Sequence, residues 1–274
     1  MESVGVFDVP TMSAMQFDTY NLNAGRLVPE LARIGESIGS DPESVEFEAL
    51  AALLGWDLRN DADSTGAAVF GAFWRELQAA VFYDDLPEDL WPQGGSRWFA
   101  AIDVMLDAPA HPLWDDAGTS GSEDRVTMLA IAFGAAVADL RDRLGGDVSS
   151  WAWGDLHTAT FENQTLGQSG IGLIENRFNR GPYPTAGGES IVNAVGSDPT
   201  EGFEVDWLPS MRMVIDLSDL DASLAIHTTG QSGHPYHEHY QDMIPLWLEG
   251  ANTQMAWSRG AVEMASADRL VLLP

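Results

Sequence analysis

The sequence predicts an α+β protein with a helical first half and a β-rich second half. Two patterns carry this. Up to about residue 150, apolar residues recur at helical intervals, and beyond it short β-prone runs alternate with Gly, Pro, Asn and Thr. The reading divides the chain into a mainly helical part, 1–150, and a strand- and loop-rich part, 151–274. Whether the two share one continuous core or part near Gly145-Gly146 stays open at this level.

The helices follow in order. Phe17, Leu22, Leu27, Leu31 and Ile34 fall at helix-like spacings. Gly66 to Tyr83 is a second candidate, with Val69, Phe70, Phe73, Trp74, Leu77 and Val81 on a broad apolar face. Ser96 to Leu106 is a third. The fourth, Val126 to Leu144, has Ser120 three residues before Glu123 as an expected capping box and Gly145-Gly146 as its stop. In the second half, Met211–Leu217, Ser223–Thr228, Gln254–Trp257 and Leu270–Leu273 read as strands, and Tyr240–Leu248 as one short helix.

Composition narrows the function classes. With 274 residues and 45% hydrophobic content, the chain is long and apolar enough to bury a core. Its 42 acidic residues outweigh 13 basic ones, all arginine, giving a net charge of -29. Such a surface repels phosphate, which argues against nucleic acid and anionic membrane as partners. Dense carboxylates without lysine suit either a high-salt interior or a GC-rich genome. No cysteine is present, so disulfides, thiolate metal sites and a cysteine nucleophile are excluded. No apolar run approaches the length of a membrane helix. Met1 to Gly5 lacks the basic and apolar character of a signal peptide.

Chemical motifs narrow the field further. A serine elbow requires Gly-x-Ser-x-Gly. Gly167-Gln168-Ser169-Gly170-Ile171 and Gly230-Gln231-Ser232-Gly233-His234 both lack the closing glycine. His234-Pro235-Tyr236-His237-Glu238-His239 is the densest histidine cluster, and His234, His237 and His239 are an alternative zinc set. Pro235, however, breaks the helix on which such ligands sit. A loop whose imidazoles bond to backbone and carboxylates is the competing reading.

Taken as an ordered series, the segments say more. Met15-Gln16-Phe17-Asp18-Thr19 comes first, then Leu54-Gly55-Trp56-Asp57 with Asp63-Ser64 and Gly66-Ala67. Trp151-Ala152-Trp153-Gly154-Asp155-Leu156-His157 follows, then Gly187-Gly188 and Ile191-Val192-Asn193-Ala194. Pro209 to Leu217, Gly230 to Pro235, His239 to Asp242 and Trp247 close the series. This order resembles the C-terminal region of the β chain of penicillin acylases, a family of N-terminal-nucleophile hydrolases that includes acyl-homoserine-lactone and cephalosporin acylases.

The resemblance implies part of an α-β-β-α sandwich and hydrolysis of the amide bond of N-acyl compounds. It also implies a nucleophilic serine at the start of a chain, whose own α-amino group acts as base, and an oxyanion held by a backbone amide and an Asn side chain. The family's nucleophile, oxyanion Asn and calcium-binding acids lie upstream of the Gln-x-Asp helix. The expectation is therefore that no catalytic residue and no cofactor site falls in this chain, since neither Met1 nor Ser3 matches the nucleophile. Supporting positions are expected at Arg212, Asp216, Gln231, Ser232, His239 and Asp242, with Arg212 and Asp216 pairing in the sheet. The implied partner is the missing N-terminal part or a second chain, and the implied substrate a small N-acyl molecule. The resemblance suggests a periplasmic or secreted enzyme. Two alternatives stay open: a non-catalytic scaffold derived from the same fold, and a metal-dependent hydrolase using the 234–239 histidines.

Overall fold

A computed structural model of the chain describes residues 7–35 and 41–273. Met1 and Ser3, named above, lie outside the described residues. The first apolar series is two helices, not one. Helix α1 (Val9–Gln16) ends at Phe17, and α2 (Leu22–Leu31) starts afresh because the Asn21 side chain caps the amide of Ala24. A 3-10 turn, Ala32–Ile34, extends α2.

Helix α3 (Val45–Leu54) has no counterpart in the sequence reading. Ser44 caps it, and Glu46 and Glu48 stand in its first turn, where the helix dipole favours acids. The next two candidates form as expected: α4 (Thr65–Phe82), capped by Ser64, and α5 (Ser96–Leu106). Helix α6 (Arg125–Leu144) also forms, but Asp124, not Ser120, is its cap. The Asp124 carboxylate accepts from the amide and hydroxyl of Thr127. Glu123 instead ties down the preceding loop through Thr119 and the amide of Asp116. Gly145 ends α6 at φ 90°, a conformation that favours glycine.

Helices α4 and α6 form the centre of the helical core. Ala68, Phe70, Phe73, Leu77 and Val81 of α4 are buried, as are Leu129, Phe133, Ala136 and Leu140 of α6. Trp74 stacks on Phe99 of α5 at 3.7 Å between ring centroids. This core also takes in Trp151, Trp153, Leu156 and Phe203 from beyond residue 150.

The second half begins with a short helix, α7 (Trp153–Leu156), and β1 (Thr158–Phe161). Helix α8 (Gly172–Phe178) leads to β2 (Arg180–Pro184), antiparallel to β1. A separate antiparallel sheet has the order β3 (Met211–Val214), β4 (Leu224–His227), β5 (Thr253–Gln254). Arg212 pairs with Ile226, and Met213 with Ala225. Alternation therefore puts Arg212 and Ile226 on the inner face and Met211 and Met213 on the outer one. The inner face packs on a small cluster of Val195, Ile226 and Trp247.

Two strand expectations change in extent and one does not form. The first stops at Val214 because Asp216 receives the amides of Ser218 and Asp219 and turns the chain. The third keeps only Gln254 of its expected range and begins at Thr253, since Asp221 takes the amides of Trp257 and Ser258 away from the sheet. Leu270–Leu273 forms no strand here and is exposed. The helix expected over 240–248 is a 3-10 turn, Glu238–Tyr240, followed by α9 (Ile244–Leu248), and α10 (Arg259–Ala265) was not foreseen. Among the described residues, no helix is long and apolar enough to cross a membrane.

Candidate functional site

Several of the ordered segments quoted from the sequence converge on one buried junction. The backbone amide of Asn193 donates to Asp18 O, and that of Asn60 to Thr19 O, each at 2.9 Å. Asn60 O accepts from Gly187 N at 2.8 Å, and Gly187 O from the Trp153 indole at 2.9 Å. The Asn21 side-chain amide donates to Asn60 Oδ1. Thr19, Asn21, Asn60, His157, Thr185, Asn193 and Arg212 are all buried here. Buried polar groups are tolerated only when paired, so this concentration is a specific network, not a generic core.

Arg212 closes the network on the sheet side. Nη1 donates to Trp247 O at 2.8 Å and Nη2 to Asn193 Oδ1 at 2.9 Å. Its guanidinium lies 4.5 Å from the Trp247 ring centroid and 5.1 Å from that of Phe17. Burial pushes it down to about 10. The expected pairing with Asp216 does not form. Three residues separate the two, and the Asp216 carboxylate accepts from Ser218, which lowers its pKa.

The other named positions sit on an exposed loop. Ser232 N donates to His239 O, and Ser232 Oγ accepts from His234 N. His239 Nδ1 lies 2.7 Å from Asp242 Oδ2, and this carboxylate raises the imidazole. Gln231 is exposed beside them. Ser232 borders an open cleft of about 330 Å³ with Phe161, Gln164, Arg180, Thr229 and Tyr240.

His234 and His237 each spend Nδ1 on the backbone amide two residues ahead. Their lone pairs there cap turns, so the alternative zinc set is not assembled. Among the described residues no group of three or more His, Asp or Glu is placed to hold a metal ion. Neither Ser169 nor Ser232 stands at a strand-to-helix elbow. Ser169 precedes α8 without a strand before it, and Ser232 is followed by a 3-10 turn.

Two titratable groups at the junction were missed by sequence reasoning. His157 is buried against Trp153, and its ring nitrogens face Phe203 O at 2.7 Å and Val195 O at 3.2 Å. Burial pushes it down to about 4, despite the two carbonyls that favour the cation. Glu189 shares with it a small cavity of about 50 Å³. Glu189 Oε2 accepts weakly from the Trp74 indole at 3.4 Å, and Oε1 has no partner. Burial, with Asp206 and Asp198 nearby, pushes Glu189 up to about 7. His157 closes the Trp151–His157 segment and Glu189 directly follows Gly187-Gly188, and only those places could have pointed to a role for either residue.

Their linkage signs are opposite. Between pH 4.5 and 7 the fold holds a proton on Glu189 that the unfolded chain releases, so this contribution falls as pH rises. Between pH 6.5 and 4 the unfolded chain protonates His157 while the fold does not, so that contribution falls as pH drops. Glu189→Gln, which mimics the neutral acid, is expected to be more stable than the parent at pH 8, by an amount on the order of 3 kcal/mol. The variant should also lose stability more steeply on acidification. Urea midpoints at pH 5 and pH 8 check this, and an equal parent–variant difference at both would refute it.

Comparisons with known proteins identify the family. The family model described as Penicillin amidase matches residues 1–264. An acyl-homoserine lactone acylase, QuiP, from Pseudomonas aeruginosa is 30% identical over 272 residues, covering 89% of this chain and 32% of its own length. Penicillin acylase 2 proenzyme from a Pseudomonas species, strain SE83, is 28% identical, covering 97% of this chain and 33% of its own length. The chain thus spans about a third of the length of these relatives. The structure of a thermostable penicillin G acylase from Alcaligenes faecalis superposes with a TM-score of 0.59 at 16% identity, over 100% of this chain and 50% of that one, which is a likeness of fold. With the family model matching residues 1–264, as the motif order led one to expect, the chain belongs to the penicillin amidase family.

Proposed function

We propose that this chain is the junction-bearing part of an amide-hydrolysing acylase whose nucleophile comes from other parts of the polypeptide. The substrate is an N-acyl compound, either an acyl-homoserine lactone or a β-lactam with an amide-linked side chain. The reaction adds water across the amide and releases a carboxylic acid and an amine. One observation carries the reading: segments around Asp18, Trp153, Gly187, Asn193, Arg212 and Trp247, all within the stretches that resemble the acylases, are linked by hydrogen bonds in the core. Arg212 and Asn193 serve as positioning residues that fix the sheet against the helices. Asp216, Ser232, His239 and Asp242 order two surface loops, and Gln231 lies on the second of these.

The test compares the pure chain with a complete acylase that contains it, using N-acyl-homoserine lactone and N-phenylacetyl amide substrates. Turnover is expected only from the complete enzyme. Robust turnover by the chain alone would overturn the division of labour. A folded complete protein inert on both substrates would favour the scaffold reading.

A further inference from the structure

None of the residues from 231 to 242 is buried, although the loop they form stands between buried ends. Ile226 and Thr228 are buried before it, and Ile244 and Trp247 after it. The amide of Met243 closes its base by donating to Thr229 O at 2.9 Å. Such a loop is held by a few polar contacts and not by a core, so those contacts decide whether it stays in place.

The contacts reach α8 and β2. The Arg177 guanidinium lies 3.4 Å from the Tyr236 ring centroid, and that of Arg180 lies 4.6 Å from the Tyr240 centroid. Arg180 Nη2 donates to Pro235 O, and the Tyr240 hydroxyl donates to Phe178 O at 2.6 Å. Clasped in this way, the loop supplies Ser232, Gly233 and Tyr240 to the cleft of about 330 Å³ that Phe161, Phe178 and Arg180 also line.

Within the loop, imidazoles cap two turns. His234 Nδ1 accepts from the amide of Tyr236 at 3.3 Å, and His237 Nδ1 from that of His239 at 3.1 Å. Only a neutral imidazole has a lone pair to offer there, because a protonated ring donates at both nitrogens. The caps are therefore present where these rings are neutral and are lost as pH falls through the imidazole range, roughly pH 7 to 5. Charge acts in the same direction. The His237 and His239 rings stand 5.3 Å apart, and the His234 ring stands 5.7 Å from the Tyr236 ring that carries Arg177. Protonation places cations beside one another and beside the arginines of the clasp. The acids nearby are engaged elsewhere. Asp242 pairs with His239 and raises it, and Glu238 also faces His239. Glu175 holds the amide of Gly170, and Glu162 holds the Gln168 side chain.

We propose that residues 231–242 form an acid-released lid on this cleft, clasped against α8 and β2 while His234 and His237 are neutral and freed when both gain a proton. Release removes the wall that carries Ser232 and Tyr240 and uncovers Arg180. The proposal stands apart from the acylase reading and does not depend on it.

Hydrogen exchange on the complete polypeptide that contains this chain tests it, with each rate divided by the unprotected rate at the same pH. Protection over residues 232–240 is expected to be about 10-fold lower at pH 5 than at pH 7.5, while β3 and β4 keep theirs. His234→Asn with His237→Asn is the decisive variant. An Asn side-chain oxygen accepts the same amide two residues ahead and does not titrate. This variant should keep at pH 5 the protection it has at pH 7.5, and unchanged β3 and β4 show that it is folded. A parent whose loop protection is the same at both pH values would overturn the proposal, as would a variant that loses protection as the parent does. Arg177→Gln removes the stack on Tyr236 and should loosen the loop at both pH values. An unchanged loop in that variant would overturn the clasp.

Discussion

Arg212→Ala is expected to destabilise the chain by on the order of 3–5 kcal/mol, the largest loss from any single side chain of the junction. Truncation removes both donors at once. Asn193 Oδ1 is left buried without a partner, Trp247 O keeps only backbone amides, and the space between Phe17 and Trp247 opens. Arg212→Lys should fall between parent and alanine variant. A single ammonium cannot span two acceptors as the planar fork does, and it remains a buried cation. Arg212→Met should keep the stem's packing and lose the hydrogen bonds. Thermal melts rank the three, and the alanine variant should melt roughly 10 °C lower. An alanine variant within about 1 kcal/mol of the parent would mean that the network does not hold the halves together.

Gly187→Ala should cost about 3 kcal/mol or more although it adds only one methyl group. Gly187 has φ +104°, and a Cβ there would stand 2.5 Å from the Asn193 carbonyl oxygen and 2.8 Å from its side-chain amide. The backbone cannot move aside easily, because its amide is held by Asn60 and its carbonyl by Trp153. Gly134 is the matched control. It lies inside α6, and a methyl added there would meet nothing within 4 Å, so Gly134→Ala should stabilise by up to about 1 kcal/mol. Urea denaturation of both variants gives the comparison, and similar effects at the two positions would refute the steric argument.

Much of the helical half was legible because its signal is local. The apolar face from Val69 to Val81 and the Gly145 stop are written within single segments. Helix α3 was missed although Ser44 and the Ala/Leu run after it announce it. Asp124 outranked Ser120 as a cap because it adjoins the first turn directly. The second half was less legible because its partners are remote. Nothing near Arg212 in sequence reveals that its acceptors are Asn193 and Trp247, or that Asp216 turns away. The motif order pointed to the junction as a set, while the buried Glu189 and His157 depend on packing that periodicity does not encode.

The ties between the chain's beginning and its later strands bear on how the protein is made. Ser13 meets Asn252 across 239 residues, and Gln16 meets Met213 across 197. During synthesis, α1 therefore leaves the ribosome long before its sheet exists, and it has no buried residue to hold it meanwhile. The core of α4 and α6 can condense first from neighbouring segments, with the junction and sheet closing behind it. The long-range closure sets the slow step of folding, and the apolar surface that waits for it is where chaperones would bind.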